Sequence, residues 1–127
     1  MKPVSRADSK TLPMPEHRVT VARDRLFLAD ELVRIRQGHE PRAMEDKWFL
    51  FFEAPWLYGH RSWTGTFVYR GRLEEEAGGA RLVEVEIGPC RYAPSLDDPE
   101  HAAAFFEWLI DVLILGRDVP RPNREGR

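Results

Sequence analysis

Hydrophobic positions change rhythm twice along this chain. Between residues 24 and 37 they recur at helical spacing, with Leu28, Leu32 and Ile35 in one row and Leu26, Ala29 and Val33 in the next. That stripe predicts a helix, with Gly38 suited to the position after its end and Pro41 barring continuation. Four strand-like runs follow. Lys47–Glu53 is aromatic and does not alternate, so both of its faces should be covered. Trp56–Arg61 comes after the three-residue connection Glu53-Ala54-Pro55, which is hairpin length. Thr66–Glu74 should place Phe67, Tyr69 and Leu73 on one face and Val68, Arg70 and Arg72 on the other. Arg81–Ile87 alternates most cleanly, Val83, Val85 and Ile87 against Glu84 and Glu86, so Arg70 and Arg72 can pair with those carboxylates across the hairpin.

Helical spacing returns near the C-terminus. Asp97 or Asp98 can cap the segment, Pro99 sits near its first position, and Gly116 ends it. Phe105, Leu109, Val112 and Leu113 form one row, with Phe106, Ile110 and Ile114 beside it. The predicted architecture is an α+β domain over residues 19–116: a four-stranded antiparallel meander packed with an N-terminal and a C-terminal helix, α-β-β-β-β-α. Residues 1–18, with Pro3, Pro13 and Pro15, are expected to be an extended arm, and residues 117–127 a disordered tail.

Composition narrows the function classes. The 127 residues include one cysteine, Cys90, which fits a reducing, cytoplasmic location and leaves no disulfide framework or cysteine-rich metal site. No apolar run follows Met-Lys-Pro-Val-Ser-Arg, so no signal peptide is expected, and no stretch is long enough to cross a membrane. Charge is uneven. Residues 53–111 hold five Lys/Arg against eleven Asp/Glu, which disfavours the continuous basic face that nucleic acid requires. The four histidines show no metal-ligand spacing, so neither a metal nor a cofactor is expected.

Candidate chemistry concentrates between Met44 and Gly65, which holds three of the four tryptophans. In His60-Arg61-Ser62-Trp63-Thr64-Gly65, Arg61 and Lys47 can pair with an anion. Ser62 and Thr64 can donate hydrogen bonds, and Trp63 or Trp48 can form walls on which a ring stacks. The same residues also make an ordinary hairpin turn, in which Arg61 merely lies on a tryptophan face. His60 with Glu53 is a candidate acid/base pair, with Glu45 and Asp46 as further carboxylates.

Met44-Glu-Asp-Lys-Trp-Phe49 and His60-Arg-Ser-Trp-Thr-Gly65 resemble the signature of a family of short bacterial proteins, mostly without assigned activity, associated loosely with ADP-ribose-processing contexts. The resemblance spans Met44 to Tyr69. It implies that the two motifs form one unit, as a pocket or as a structural clasp, and that ADP-ribose or a related nucleotide is a candidate ligand. It carries no catalytic residues. Three expectations follow. The first is a binding or interaction module with an anion or nucleotide pocket at the first hairpin. The second is an enzyme on ADP-ribosyl or nucleotide substrates using His60. The third is a protein partner or homodimer docked on the apolar helix near Phe105–Leu115.

Overall fold

A computed structural model of the chain describes residues 2–123. Its elements are β1 (Val19–Leu28), α1 (Ala29–Gln37), β2 (Trp48–Glu53), β3 (Trp56–Arg61), β4 (Phe67–Glu76), β5 (Gly79–Ile87) and α2 (Pro99–Leu109). A π-helical segment, Ile110–Ile114, prolongs α2. The strands form one antiparallel sheet in the order β1-β5-β4-β3-β2. The fold is α+β, with a five-stranded antiparallel sheet and two helices.

The meander β2–β5 matches expectation, but the first predicted helix is half strand. Residues 19–28 pair with β5, from Val19↔Ile87 to Leu28↔Gly79, and only Ala29–Gln37 is helical. The apparent stripe joined two elements. A register shift between Ala22 and Arg25 lets Val21 and Phe27 both reach the core. In α1 just Leu32 and Ile35 are buried, while Val33, and Leu28 at the end of β1, stay exposed. Glu31 Oε1 accepts from the Leu28 N–H at 2.7 Å, and Gly38 ends the helix at φ +75°.

The sheet has two covered faces, which is why Trp48–Phe52 does not alternate between apolar and polar. Trp48 and Leu50 join the main core beneath α2; Phe49 and Phe51 join an opposite cluster with Tyr58 and Phe67. Register irregularities at Gly59/His60 and Arg72/Leu73 also change the expected faces of β4: Val68 belongs to the main core with Tyr69 and Leu73, and Phe67 to the other side. Arg70 and Arg72 pair with Glu86 and Glu84, at 3.0 and 3.3 Å.

Asp98 caps α2, its Oδ1 accepting from the His101 N–H at 3.2 Å. Phe106 rests where the sheet has no side chains. A Cβ at Gly59 would stand 3.2 Å from the Phe106 ring, and one at Gly71 only 3.0 Å from it. Ile110 and Ile114 are buried in the chain's own core, so the apolar face expected to receive a partner is already covered.

The N-terminal arm lies on the second aromatic cluster. Val4 and Met14 pack against it, and Arg6 lies 4.8 Å over Phe51 and bonds Glu53 at 2.9 Å. Residues 117–123, within the expected disordered tail, make defined contacts. The Trp108 indole donates to the Val119 carbonyl at 3.0 Å, and Arg121 sits 4.8 Å over Phe105. The rest of that expected tail, 124–127, lies outside the described residues. Among the described residues no helix is long and apolar enough to cross a membrane.

Candidate functional site

The turn joining β3 to β4 is built by backbone bonds. The Gly65 N–H donates to the Arg61 carbonyl, and the Arg61 N–H to that of Thr66, each at 2.9 Å. Gly65 takes φ +78°, which favours glycine. The segment before β2 closes on this turn. The Ser62 N–H donates to the Lys47 carbonyl at 2.9 Å, Ser62 Oγ to that of Asp46 at 2.7 Å, and the Trp63 indole to that of Met44 at 3.0 Å. His39 and Asp46 pair at 2.8 Å and brace the same segment. The two motifs therefore meet, because Trp48 pairs with Arg61 in the β2–β3 ladder.

Beside this clasp lies a cleft of about 540 Å³. Lys47, Arg61 and Arg91 supply its charge, Trp63 and Tyr92 its rings, and Thr64 and Thr66 its hydroxyls; Pro89 and Cys90 complete the wall. Among the described residues no aspartate or glutamate is part of the lining. Trp63 and Tyr92 are 60% and 73% exposed, unusually open for rings of that size. The Arg61 guanidinium lies 5.0 Å over Trp48, which supports it from below. Among the described residues Arg61 and Arg91 form no ion pair. Lys47 Nζ bonds weakly to the Met44 carbonyl at 3.4 Å and lies 5.9 Å over Trp63.

The far wall comes from the loop after β5. It is anchored by the Tyr69 hydroxyl, which donates to the Pro94 carbonyl, and by Ser95 Oγ, which donates to that of Cys90 at 2.9 Å. Burial pushes the Tyr69 phenol well above its ordinary range, so it stays protonated as a donor.

Of the sequence candidates, Lys47, Arg61, Trp63 and Thr64 line the cleft. Trp48 does not; it is 6% exposed and stacks on Tyr69 at 5.6 Å. Ser62 commits its hydroxyl to the clasp. The His60–Glu53 pair does not form. His60 stands opposite Phe49 and Glu53 opposite Trp56, so four strand residues, about 13 Å, separate them along the hairpin. Glu53 pairs with Arg6 instead. His60 also faces away from Arg61, because successive strand residues point to opposite sides. It is fully buried and stacked on Phe51 at 5.5 Å. Its Nδ1 lies 2.8 Å from the Gly65 carbonyl and so carries the proton, while Nε2 has no partner among the described residues. Burial lowers its pKa, an effect only partly offset by the Gly65 carbonyl, so the ring is neutral at pH 7. Of the further carboxylates, Asp46 serves His39, and neither it nor Glu45 lines the cleft.

Thr66, Pro89, Arg91 and Tyr92 were not candidates from sequence. A signal for them existed, since a hairpin register that sets Arg70 against Glu86 extrapolates to Thr66 beside Cys90. Among the described residues no group of three or more His, Cys, Asp or Glu side chains is placed to hold a metal ion. The chain matches no protein-family model, no curated protein and no solved structure.

Proposed function

We infer that this protein is a small-molecule binding module whose cleft takes an anionic, phosphorylated ligand with a planar ring, ADP-ribose being one candidate of that class. The supporting observation is the concentration of Lys47, Arg61 and Arg91 around one hollow, with no carboxylate in its wall among the described residues. Like charges held together raise the energy of the empty site, and an anion relieves that repulsion. Guanidinium groups suit phosphate through paired donors, and the open faces of Trp63 and Tyr92 suit a base or another flat ring. A site of this size falls in the range of small-ligand pockets. A catalytic role for His60 on ADP-ribosyl or nucleotide substrates draws no support from its position on the opposite sheet face.

Calorimetric titration with ADP-ribose, ADP and phosphate tests the reading. Saturable binding is expected, weakening as salt rises, and Arg61→Ala should weaken it about tenfold or more while the protein stays folded. His60→Phe should leave affinity within about twofold, because the ring does not reach the cleft. Absence of heat with all three ligands, or equal affinity in the Arg61 variant, would refute the site.

A further inference from the structure

Both helices pack on the main core, and the opposite rings of the sheet, Phe49, Phe51, Tyr58 and Phe67, are closed by the N-terminal arm. Val4 and Met14 pack on these rings, and Arg6 lies 4.8 Å over Phe51 and 4.9 Å over Tyr58. A Cβ at Gly88 would stand 3.0 Å from Phe67 and 3.2 Å from Pro15, so the arm is still against the sheet there. Two backbone bonds set its course: the Val4 N–H donates to the Gln37 carbonyl and the Leu12 N–H to that of Gly65, each at 2.8 Å. The arm belongs to no strand, so it can leave while β1 stays paired with β5.

His60 lies under this cover, fully buried among Phe51, Tyr58 and Phe67. Its Nδ1 is committed to the Gly65 carbonyl, the same oxygen that accepts from Leu12. Its Nε2 is sealed from solvent and has no partner among the described residues. A neutral ring leaves that nitrogen a lone pair; protonation makes it a charged donor with nothing to receive its bond. Burial opposes the charged form above all. The Gly65 carbonyl favours it, Arg6 of the arm repels it, and Glu53 of β2 attracts it. Glu53 is itself paired with Arg6, at 2.9 Å. Tyr58 is the titratable neighbour on its own strand, and Phe67 of β4 brings no charge.

We propose that the N-terminal arm is an acid-released strap: protonation of His60 lifts the arm from the sheet, which hydrates Nε2, parts the imidazolium from Arg6 and uncovers the Phe51–Tyr58 face. The closed form holds the ring neutral, whereas the released form lets it titrate near its ordinary value of about 6.5. Below that pH the released form therefore gains on the closed one, by up to about tenfold per pH unit. The rest of the sheet stays folded, because α1 and α2 cover its other face.

Amide hydrogen exchange of the full chain at pH 7.5 and 5.5, corrected for the intrinsic effect of pH on exchange, tests the strap. Protection of the Val4 and Leu12 amides should fall about tenfold in acid. That of Val85, paired on both sides within the sheet, should hold. The His60 imidazole resonance should titrate with the same midpoint as the loss of Leu12 protection. In His60→Phe the arm should keep its protection at both pH values. The proposal is overturned if Val4 and Leu12 stay protected at pH 5.5, or if they lose protection in step with Val85, which would be opening of the whole domain. An equal acid response in His60→Phe overturns it too, and assigns the effect to another group such as the exposed His17. Should His60→Phe fail to fold, the two midpoints in the unaltered protein decide: coincidence supports the strap, and separation refutes it.

Discussion

Two sets of arginines in this domain differ in their surroundings. Along β1 and the exposed parts of the sheet they are matched with carboxylates: Arg25 with Asp111 at 2.6 Å, Arg81 with Asp24 at 2.7 Å and with Glu76 at 2.8 Å, and Arg70 with Glu86. Around the cleft, Arg61 and Arg91 have rings for neighbours and no carboxylate partner among the described residues. The first group holds elements together, and its charge is already neutralised. The second keeps its charge uncompensated beside a concavity, where it can attract an anion from outside. The contrast separates a structural use of arginine from a binding use, and it does so within a chain whose net charge is −2.

Removing one member of each group should separate the two uses most widely. Arg25 bridges Glu107 and Asp111, whose side chains are only 13% and 14% exposed, and so ties β1 to the C-terminal helix. Arg25→Ala strands Asp111 with Arg117 alone, and should cost about 3 kcal/mol, read as a fall of roughly 10 °C in Tm. Arg61→Ala should cost under about 1 kcal/mol, the worth of its contact over Trp48, while affinity for the anion collapses. Thermal melts of both variants decide the matter. A large loss of stability in Arg61→Ala would make that arginine structural and dissolve the contrast.

The adjacent residues His60 and Arg61 sharpen it further. The buried His60 has a folded-state pKa below its unfolded value, so the unfolded chain binds more protons than the folded one once pH falls beneath about 6.5. His60 thus contributes stability that is present above that pH and is lost progressively as pH falls toward the folded pKa. Two carboxylates act lower on the pH scale. Burial alone would raise Glu31, but the Leu28 N–H and Arg117 outweigh it. Burial likewise opposes, and Arg70 and Arg18 overcome it, at Glu86, so both acids sit below their ordinary range. Their contributions disappear only in stronger acid. Denaturant unfolding between pH 7 and 5 should show a slope of at most about 1.4 kcal/mol per pH unit from His60. His60→Phe, an apolar ring among Phe51, Tyr58 and Phe67, should flatten that slope without altering the cleft. An unchanged slope would mean that another group governs this window.

Period and register account for what was legible in the residues. The meander was readable because Val83, Val85 and Ile87 alternate with Glu84 and Glu86, and because Arg70 and Arg72 offer those carboxylates partners. β1 was hidden because its bulge breaks the two-residue rhythm between Ala22 and Arg25, while Leu26 and Leu28 fall in phase with the helix that follows. At the site, the turn was visible as a cluster of polar residues among rings. The face each residue takes was not, since it depends on pairing: Phe49↔His60 sends the imidazole to one side, and Trp48↔Arg61 sends the guanidinium to the other. Four of the nine described residues in the cleft wall come from Pro89–Tyr92, whose position follows from the β4–β5 register rather than from its own composition.

The subtlest consequence of uncompensated arginines is the potential they impose on their neighbours, and Cys90 stands in the cleft wall to report it. A cationic surrounding favours the approach of a negatively charged reagent to the thiol. An anionic aromatic disulfide should therefore modify Cys90 several-fold faster, relative to a neutral disulfide, than it modifies a free thiol in solution. Raising the salt concentration should shrink that preference, because partly exposed charges are screened within about 10 Å at 0.1 M. Arg91→Ala should shrink it as well, by a factor of about two to three, and Arg72→Ala should not, since Arg72 is already neutralised by Glu84 and Glu74. The ratio of the two rates cancels changes in thiol exposure, which affect both reagents alike. If Arg72→Ala and Arg91→Ala changed the ratio equally, the cleft would hold no special field, and paired and unpaired arginines would be electrostatically equivalent at this surface.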